Sequence, residues 1–327
     1  MPRITRRTFG LGATAAAAAV AMPRVARAQE ITLKLHQFLP AQANVPKLVL
    51  DPWIKKVQDE SGGRIKIEHY PAMQLGGKPP ELIDQVTDGI VDIVWTLPGS
   101  TPGRFPSTEV FELPFMMTNA EATSKAYWDL FEKNMKDTEF KDQHIIGTWV
   151  HGPGVVHCKE PINKLEDMSG KKIRAPTRVI NQLLGALGAT PVGMPVPQIT
   201  DALSKGVIDG CVIPWEVTTS LKVPELVSNH TEFSGDHALY TTTFVMDLQH
   251  DVRGRGQVTL EELLQHHHDE LHRRVVVVEQ NHLVERRRLR AGGLALGNDR
   301  ALATVPPGTT RRLGGQLWRF VIGHESF

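Results

Sequence analysis

Ile31-Thr32-Leu33-Lys34-Leu35, Arg64-Ile65-Lys66-Ile67-Glu68-His69-Tyr70 and Val91-Asp92-Ile93-Val94-Trp95-Thr96 decide the fold. Each is a short apolar or alternating run, the pattern of a strand. Between the first two, Val45 to Glu60 reads as a helix despite Pro52, closed by the turn Ser61-Gly62-Gly63. Between the second and third, Pro79 to Asp88 reads as a helix with prolines at its start and Gly89 as its stop. The order is β-α-β-α-β within about 70 residues. That alternation predicts a mainly parallel sheet covered by helices.

Downstream, the Pro/Gly-rich loop Pro98 to Gly103 precedes a predicted amphipathic helix, Asn119 to Lys136, and a strand, His144 to Val150. His151-Gly152-Pro153-Gly154 is a hinge-like break, after which Val155 to Cys158 opens a new apolar run. A second α/β unit follows. Gly170-Lys171-Lys172-Ile173-Arg174 leads into a short strand, and Thr177 to Leu187 reads as a helix stopped by Gly188. Ile199 to Lys205 is another helix, stopped by Gly206, and Val207 to Ile213 is a strand interrupted by Asp209-Gly210. No internal sequence repeat is evident. The expected fold class is therefore α/β with two lobes and a hinge. Lobe I takes residues 30–150 plus about 237–246, and lobe II takes 151–236. Ligands of such folds bind beyond the carboxyl ends of the strands, in the cleft.

Composition narrows the function. The 327 residues carry 37 Lys+Arg against 36 Asp+Glu, so charge makes no case for nucleic acid as a partner. Two cysteines cannot build a disulfide framework or a four-thiolate zinc site. Cys158 and Cys211 read as two small buried thiols, with pairing in an oxidising compartment as the alternative. Residues 1–28 hold five Arg and no acid. Arg3, Arg6 and Arg7 form a charged start, Leu11 to Met22 is Ala-rich and apolar, and Ala26-Arg27-Ala28 is an A-x-A site. This reads as an export signal cleaved after Ala28, which places the mature protein in the periplasm. Thr5-Arg6-Arg7-Thr8-Phe9 resembles a twin-arginine signal; an ordinary secretory signal with a chance Arg pair is the alternative.

Residues 29–246 carry 16 Lys but only 4 Arg, which draws attention to Arg174 inside a short apolar strand. A guanidinium presents a planar fork that fits a carboxylate bidentately, whereas an ammonium does not. The competing reading pairs Arg174 with a local acid, Glu166 or Asp167. Phe38, Trp95, His151 and Trp215 are further candidate ligand-binding residues, each also readable as core or loop packing. Glu216 would orient Arg174 or be solvated, and Asp209-Gly210 would shape a turn. There is no G-x-S-x-G elbow, H-E-x-x-H run or G-x-x-x-x-G-K-[ST] loop, so no catalytic residue, cofactor or ATP site is expected. His266-His267-His268 does not read as a metal site, because consecutive residues share no helix or strand face.

Seven segments then carry a resemblance in order along the chain. They are Gly63 to Ile67 with Tyr70 to Gly76, Gly89 to Ile93, Glu112-Leu113-Pro114-Phe115, Leu165 to Pro176, Gly188 to Val192, and Ala202 to Gly210. Over about 30–246 the chain resembles the periplasmic solute-binding subunits of tripartite ATP-independent periplasmic (TRAP) transporters, of the DctP type. The resemblance implies two lobes that close on a small organic acid, with Arg174 gripping its carboxylate. It also implies hand-over to a membrane permease driven by a sodium or proton gradient. Two departures stand out. Sialic-acid-binding members carry a second Arg about twenty residues before the first, where this chain reads His151-Gly152-Pro153-Gly154, and Ile213 occupies a position that is Asn in several members. Both suit a less hydroxylated acid with an aromatic or branched body. The alternatives within the same fold are a ligand-sensing partner of a membrane signalling protein and an exported enzyme acting on an organic acid.

Residues 247–327 depart from this pattern, with 12 Arg, no Lys and 7 of the 14 His. Such a jump reads as a change of reading frame, which would make the C-terminal region aberrant; a genuine Arg/His-rich tail is the alternative.

Overall fold

The computed structural model describes residues 31–233, 237–249, Arg274, 310–313 and 316–319. In β1 (Ile31–Gln37) the alternation is visible as burial: Leu33 and Leu35 are inside, while Thr32 and Lys34 face out. β1 pairs in parallel with β2 (Ile65–Tyr70) and with β3 (Ile93–Thr96). Trp53, Ile54 and Val57 of α1 (Asp51–Glu60) and Leu82, Ile83 and Val86 of α2 (Leu82–Thr87) are buried against this sheet, as predicted. β4 (His144–Val150) completes it only through β10 (Thr243–Leu248), which runs antiparallel to both β3 and β4. The strand order is β2-β1-β3-β10-β4.

The second sheet has the order β7-β6-β8-β5-β9. Its strands are β5 (Gly154–Cys158), β6 (Lys172–Ala175), β7 (Thr190–Gly193), β8 (Gly210–Pro214) and β9 (Asn229–Thr231). β6 is parallel to β7 and β8, and β5 is antiparallel to β8 and β9. The remaining helices are α3 (Ala120–Leu130), α4 (Arg178–Ala186), α5 (Ile199–Ser204), α6 (Trp215–Thr218) and α7 (Val223–Leu226). A separate hairpin pairs β11 (Thr310–Leu313) with β12 (Gln316–Arg319). The two main sheets thus repeat one topology. Each has a parallel core and one antiparallel strand: β5 in the second sheet, fed across from β4, and β10 in the first, which follows β9 in the chain.

The repeat extends to single hydrogen bonds, although the sequence shows none at a glance. Asp92 and Asp209 occupy the same place. Asp92 Oδ2 accepts the Lys34 N–H at 2.8 Å, and Asp209 Oδ2 accepts the Lys172 N–H at 2.8 Å. Both aspartates close a Gly-apolar-apolar-Asp segment after a helix, Gly89 to Asp92 and Gly206 to Asp209, and both glycines have a φ of +69°. The Ile90 N–H returns to Gln85 C=O and the Val207 N–H to Ala202 C=O. In this way Val207 and Ile208 finish the helix end, and strand β8 starts at Gly210, later than the predicted Val207. Gly210 is required there because a Cβ would lie 2.4 Å from the His157 carbonyl oxygen.

The helix predicted from Val45 through Pro52 is two elements. Pro46–Leu50 is a wide turn in which the Asp51 N–H donates to Pro46 C=O, and the regular helix α1 starts at Asp51. Pro52 has no N–H to give to the carbonyl four residues earlier, and the widened turn absorbs that loss. One apolar cluster joins the two sheets, running from Leu35, Phe38 and Trp95 to Ile213, Val217 and Val223. Asp247 and Leu248 are buried in β10, so the buried pattern continues past residue 246. Cys158 and Cys211 are buried free thiols. The His266 and Arg286 triplets and most of the Arg/His-rich segment lie outside the described residues, as does the 1–28 segment.

Candidate ligand-binding site

β6 lies inside the second sheet between β7 and β8, and its neighbours Ile173 and Ala175 are fully buried. Arg174 between them is only 2% exposed. Its Nε donates to the Met194 carbonyl at 2.8 Å and its Nη1 to the Val212 carbonyl at 3.3 Å. Among the described residues no carboxylate pairs with it. Asp167 caps its own turn, accepting the N–H groups of Asn163 and Lys164 at 2.9 and 3.1 Å. Burial pulls the guanidinium down to about 10, which leaves it charged at neutral pH. An ion removed from water without a counter-charge costs several kcal/mol. The two carbonyls offset part of that cost, and an anion would offset the rest.

Arg174 opens on a cavity of about 50 Å³ between the sheets. A single water needs only ~10–15 Å³ of such space. Phe38, Trp95 and Phe244 line one side. The Phe38 and Trp95 rings stack at 4.9 Å and 15°, and Phe244 leans on Trp95 at 4.8 Å and 35°. Trp149 backs the stack at 6.2 Å. Val212, Ile213 and Pro214 of β8 line the other side, with Val196 and Pro176. Tyr240, Thr242 and His151 close the end where the chain crosses between sheets. Most of the surroundings are aromatic and aliphatic; besides Arg174 the polar lining residues are His151, Thr242 and Glu216, whose Oε1 accepts the Gly152 N–H at 3.0 Å.

The structure brings Arg174, Phe38, Trp95 and His151 to one cavity. His151 is also tied into the crossing itself. Its Nε2 accepts the Thr242 N–H at 3.1 Å, and its carbonyl accepts the Thr241 hydroxyl at 2.8 Å. Trp215 is not brought there. β8 ends at Pro214 and α6 begins at Trp215, and this turn places the indole between His157 and His230, at 5.0 Å from each ring. Its Nε1–H donates to Glu232 at 2.7 Å. Burial without a compensating charge lowers His230 to about 4. Sequence reasoning missed Tyr240, Thr242 and Phe244 as lining residues. Their spacing of two is the signal of one strand face.

A second buried acid stands at the junction of the sheets. Glu112 ends the turn Pro106–Glu112, and its Oε2 accepts the Thr177 hydroxyl at 2.6 Å. Thr177 belongs to the segment between β6 and α4 of the second sheet. Thr243, the first residue of β10, donates to Oε1 from its N–H at 3.4 Å. Desolvation raises the Glu112 carboxyl to about 7. Nearby, Arg178 grips Glu109 with two bonds, at 3.2 and 2.5 Å. Among the described residues no group of three or more His, Cys, Asp or Glu could hold a metal, and no helix is long and apolar enough to cross a membrane.

Two like-built α/β sheets with a cavity between them, and a buried cation that has no carboxylate partner among the described residues, are the architecture of a two-lobed binding protein. Residues 37–250 match the DctP family of bacterial extracellular solute-binding proteins, family 7, and this chain belongs to that family. It is similar to the crystal structure of a TRAP solute-binding protein from Rhodoferax ferrireducens T118 in complex with copurified benzoate. That likeness has 47% identity and a TM-score of 0.78, covering 81% of this chain and 84% of the other. A marine metagenome TRAP solute-binding protein specific for aromatic acid ligands, co-crystallised with 3-hydroxybenzoate, is 44% identical with a TM-score of 0.79. It covers 82% of this chain and 84% of that one. Among curated relatives, a protein named outer membrane transporter protein TsaT, from Comamonas testosteroni, is 26% identical over 68% of this chain and 66% of its own length. The chain spans about half to two thirds of the length of the first curated relatives it matches.

Proposed function

We propose that this protein is the solute-binding subunit of a TRAP transporter, that it captures a small aromatic carboxylate, and that it delivers this solute to a membrane permease. The observation that carries the reading is Arg174: a buried, charged guanidinium with no carboxylate partner among the described residues, lining a largely apolar cavity. The Phe38–Trp95–Phe244 stack opposite it suits an aromatic body better than a chain of hydroxyls. The benzoate and 3-hydroxybenzoate bound to the similar structures support the same class.

Capture would work by closing lobe I (30–150 with about 237–246) on lobe II (151–236). A full shift from open to closed needs about 5.5 kcal/mol of preference for the closed state. A charge-assisted hydrogen bond supplies ~1.5–3 kcal/mol of it. Burial of the ring against Phe38, Trp95 and Phe244 supplies the remainder, since those residues lie on the far side of the cavity from Arg174. Export fits this role. Residues 1–28 would be a twin-arginine-like signal cleaved after Ala28, releasing the receptor into the periplasm.

Arg174→Met tests the reading, because it keeps the volume and removes the charge. Benzoate affinity measured by calorimetry is expected to fall at least a hundredfold while the far-UV circular dichroism stays that of the parent. Unchanged affinity would remove Arg174 from the site.

A further inference from the structure

Tyr240 lies three residues before β10, where the chain re-enters the first sheet. Its carbonyl accepts the Gly154 N–H at 3.0 Å, which ties the two crossing segments together. Its ring is packed on Gly154 so closely that a Cβ there would come within 1.9 Å of Cε1. The side chain is 1% exposed and lines the same cavity as Arg174. The hydroxyl, however, is buried with no hydrogen-bond partner among the described residues. Burial raises its pKa well above the ordinary phenol value, so it keeps its proton and remains a donor. Arg174 is the cation whose charge reaches it.

An unpaired buried hydroxyl and an unpaired buried guanidinium are each costly, and native interiors rarely leave such groups unanswered. Here the two residues line one cavity and both groups are donors. One acceptor with two oxygens answers both. We infer that Tyr240 is a second anchor for the guest carboxylate, its Oη–H donating to one carboxylate oxygen beside the Arg174 guanidinium. The inference rests on the reading of this cavity as a carboxylate receptor. It also gives the hinge a part in recognition. Arg174 belongs to the second sheet, whereas Tyr240 sits on the crossing, held over Gly154. The guest would bridge them, and that contact is made only when the crossing is in the arrangement seen here.

Tyr240→Phe removes the oxygen alone. Benzoate affinity by calorimetry is expected to fall about ten- to a hundredfold. The midpoint of thermal unfolding without ligand is expected to stay level or rise, because the variant no longer buries an unpaired hydroxyl. Unchanged benzoate affinity in Tyr240→Phe, with binding lost in Arg174→Met, would overturn the role of Tyr240 and leave the carboxylate site standing. Unchanged affinity in both variants would overturn the site itself, and this inference with it. A drop of several degrees in the ligand-free midpoint of Tyr240→Phe would mean that the hydroxyl serves the fold, and would also overturn the inference.

Discussion

Glu112 is a residue whose charge the fold resists. Its carboxyl rises from 4.5 to about 7 through desolvation, although Thr177 and Thr243 donate to it. The folded state therefore holds a proton that the unfolded chain releases. Stability from this group is complete below the unfolded pKa and is lost as pH rises through the folded value near 7. Asp247, buried in β10 and raised to about 7 by desolvation, acts in the same direction. His230, lowered to about 4, acts in the opposite one, losing its contribution as pH falls from the unfolded value toward 4. A single variant separates them. Glu112→Gln should match the parent's unfolding free energy near pH 4.5 and exceed it at pH 8, by on the order of 1–3 kcal/mol. Thermal unfolding across that range checks it; a constant offset at every pH would mean that the carboxyl does not titrate in this window. Arg174 was legible at this same scale, because an arginine in a lysine-rich chain stands out. Glu112 was not, because its burial is produced by Thr177, 65 residues away.

Elements were legible where local chemistry decides them. Asn119, at the predicted start of a helix, accepts the Ala122 N–H at 2.8 Å and caps α3. Asn119→Ala should cost about 1 kcal/mol. That is a fall of about 2–4 °C in the unfolding midpoint, with ligand affinity unchanged; an unaltered midpoint would assign no stabilising role to the cap. The predicted β-α-β-α-β run holds because its strands carry apolar or alternating patterns and its glycines end its helices. β7 and β9, both edge strands, were missed because their composition hides them. Thr190-Pro191-Val192-Gly193 carries a proline that only an edge tolerates, and Asn229-His230-Thr231 is polar. The Gly-apolar-apolar-Asp repeat was present in the sequence, but four residues twice over are ordinary turn chemistry until the Lys34 and Lys172 backbones are seen bonding to its aspartates.

At the scale of the molecule, the cavity's chemistry ranks its guests. Arg174 is one guanidinium among apolar walls, and Glu216 is an acid on the same lining. A second carboxylate would be buried without a partner, and a polyhydroxylated acid would lose hydrogen bonds to water. In a thermal-shift panel, benzoate and 3-hydroxybenzoate should raise the midpoint more than succinate or a sugar acid. A ligand at 100 times its Kd adds about 2.7 kcal/mol. A larger shift with succinate would contradict an aromatic monocarboxylate as the guest. Phe38, Trp95 and His151 line this cavity and Trp215 does not, since the face that an aromatic presents after a strand depends on the turn that follows it.

The order of residues determined, without help, the α/β class, the break at His151 to Gly154, and the family to which residues 37–250 belong. Those features follow from periodicity, glycine stops and short motifs, all of which act between near neighbours. Which side chains share the cavity was decided only by tertiary structure. β10 returns from the far side of the second sheet to lie between β3 and β4, and Tyr240, Thr242 and Phe244 arrive with it. The burial and hydrogen bonding of Arg174 arise from contacts across 20 and 38 residues of chain. No local pattern encodes such contacts.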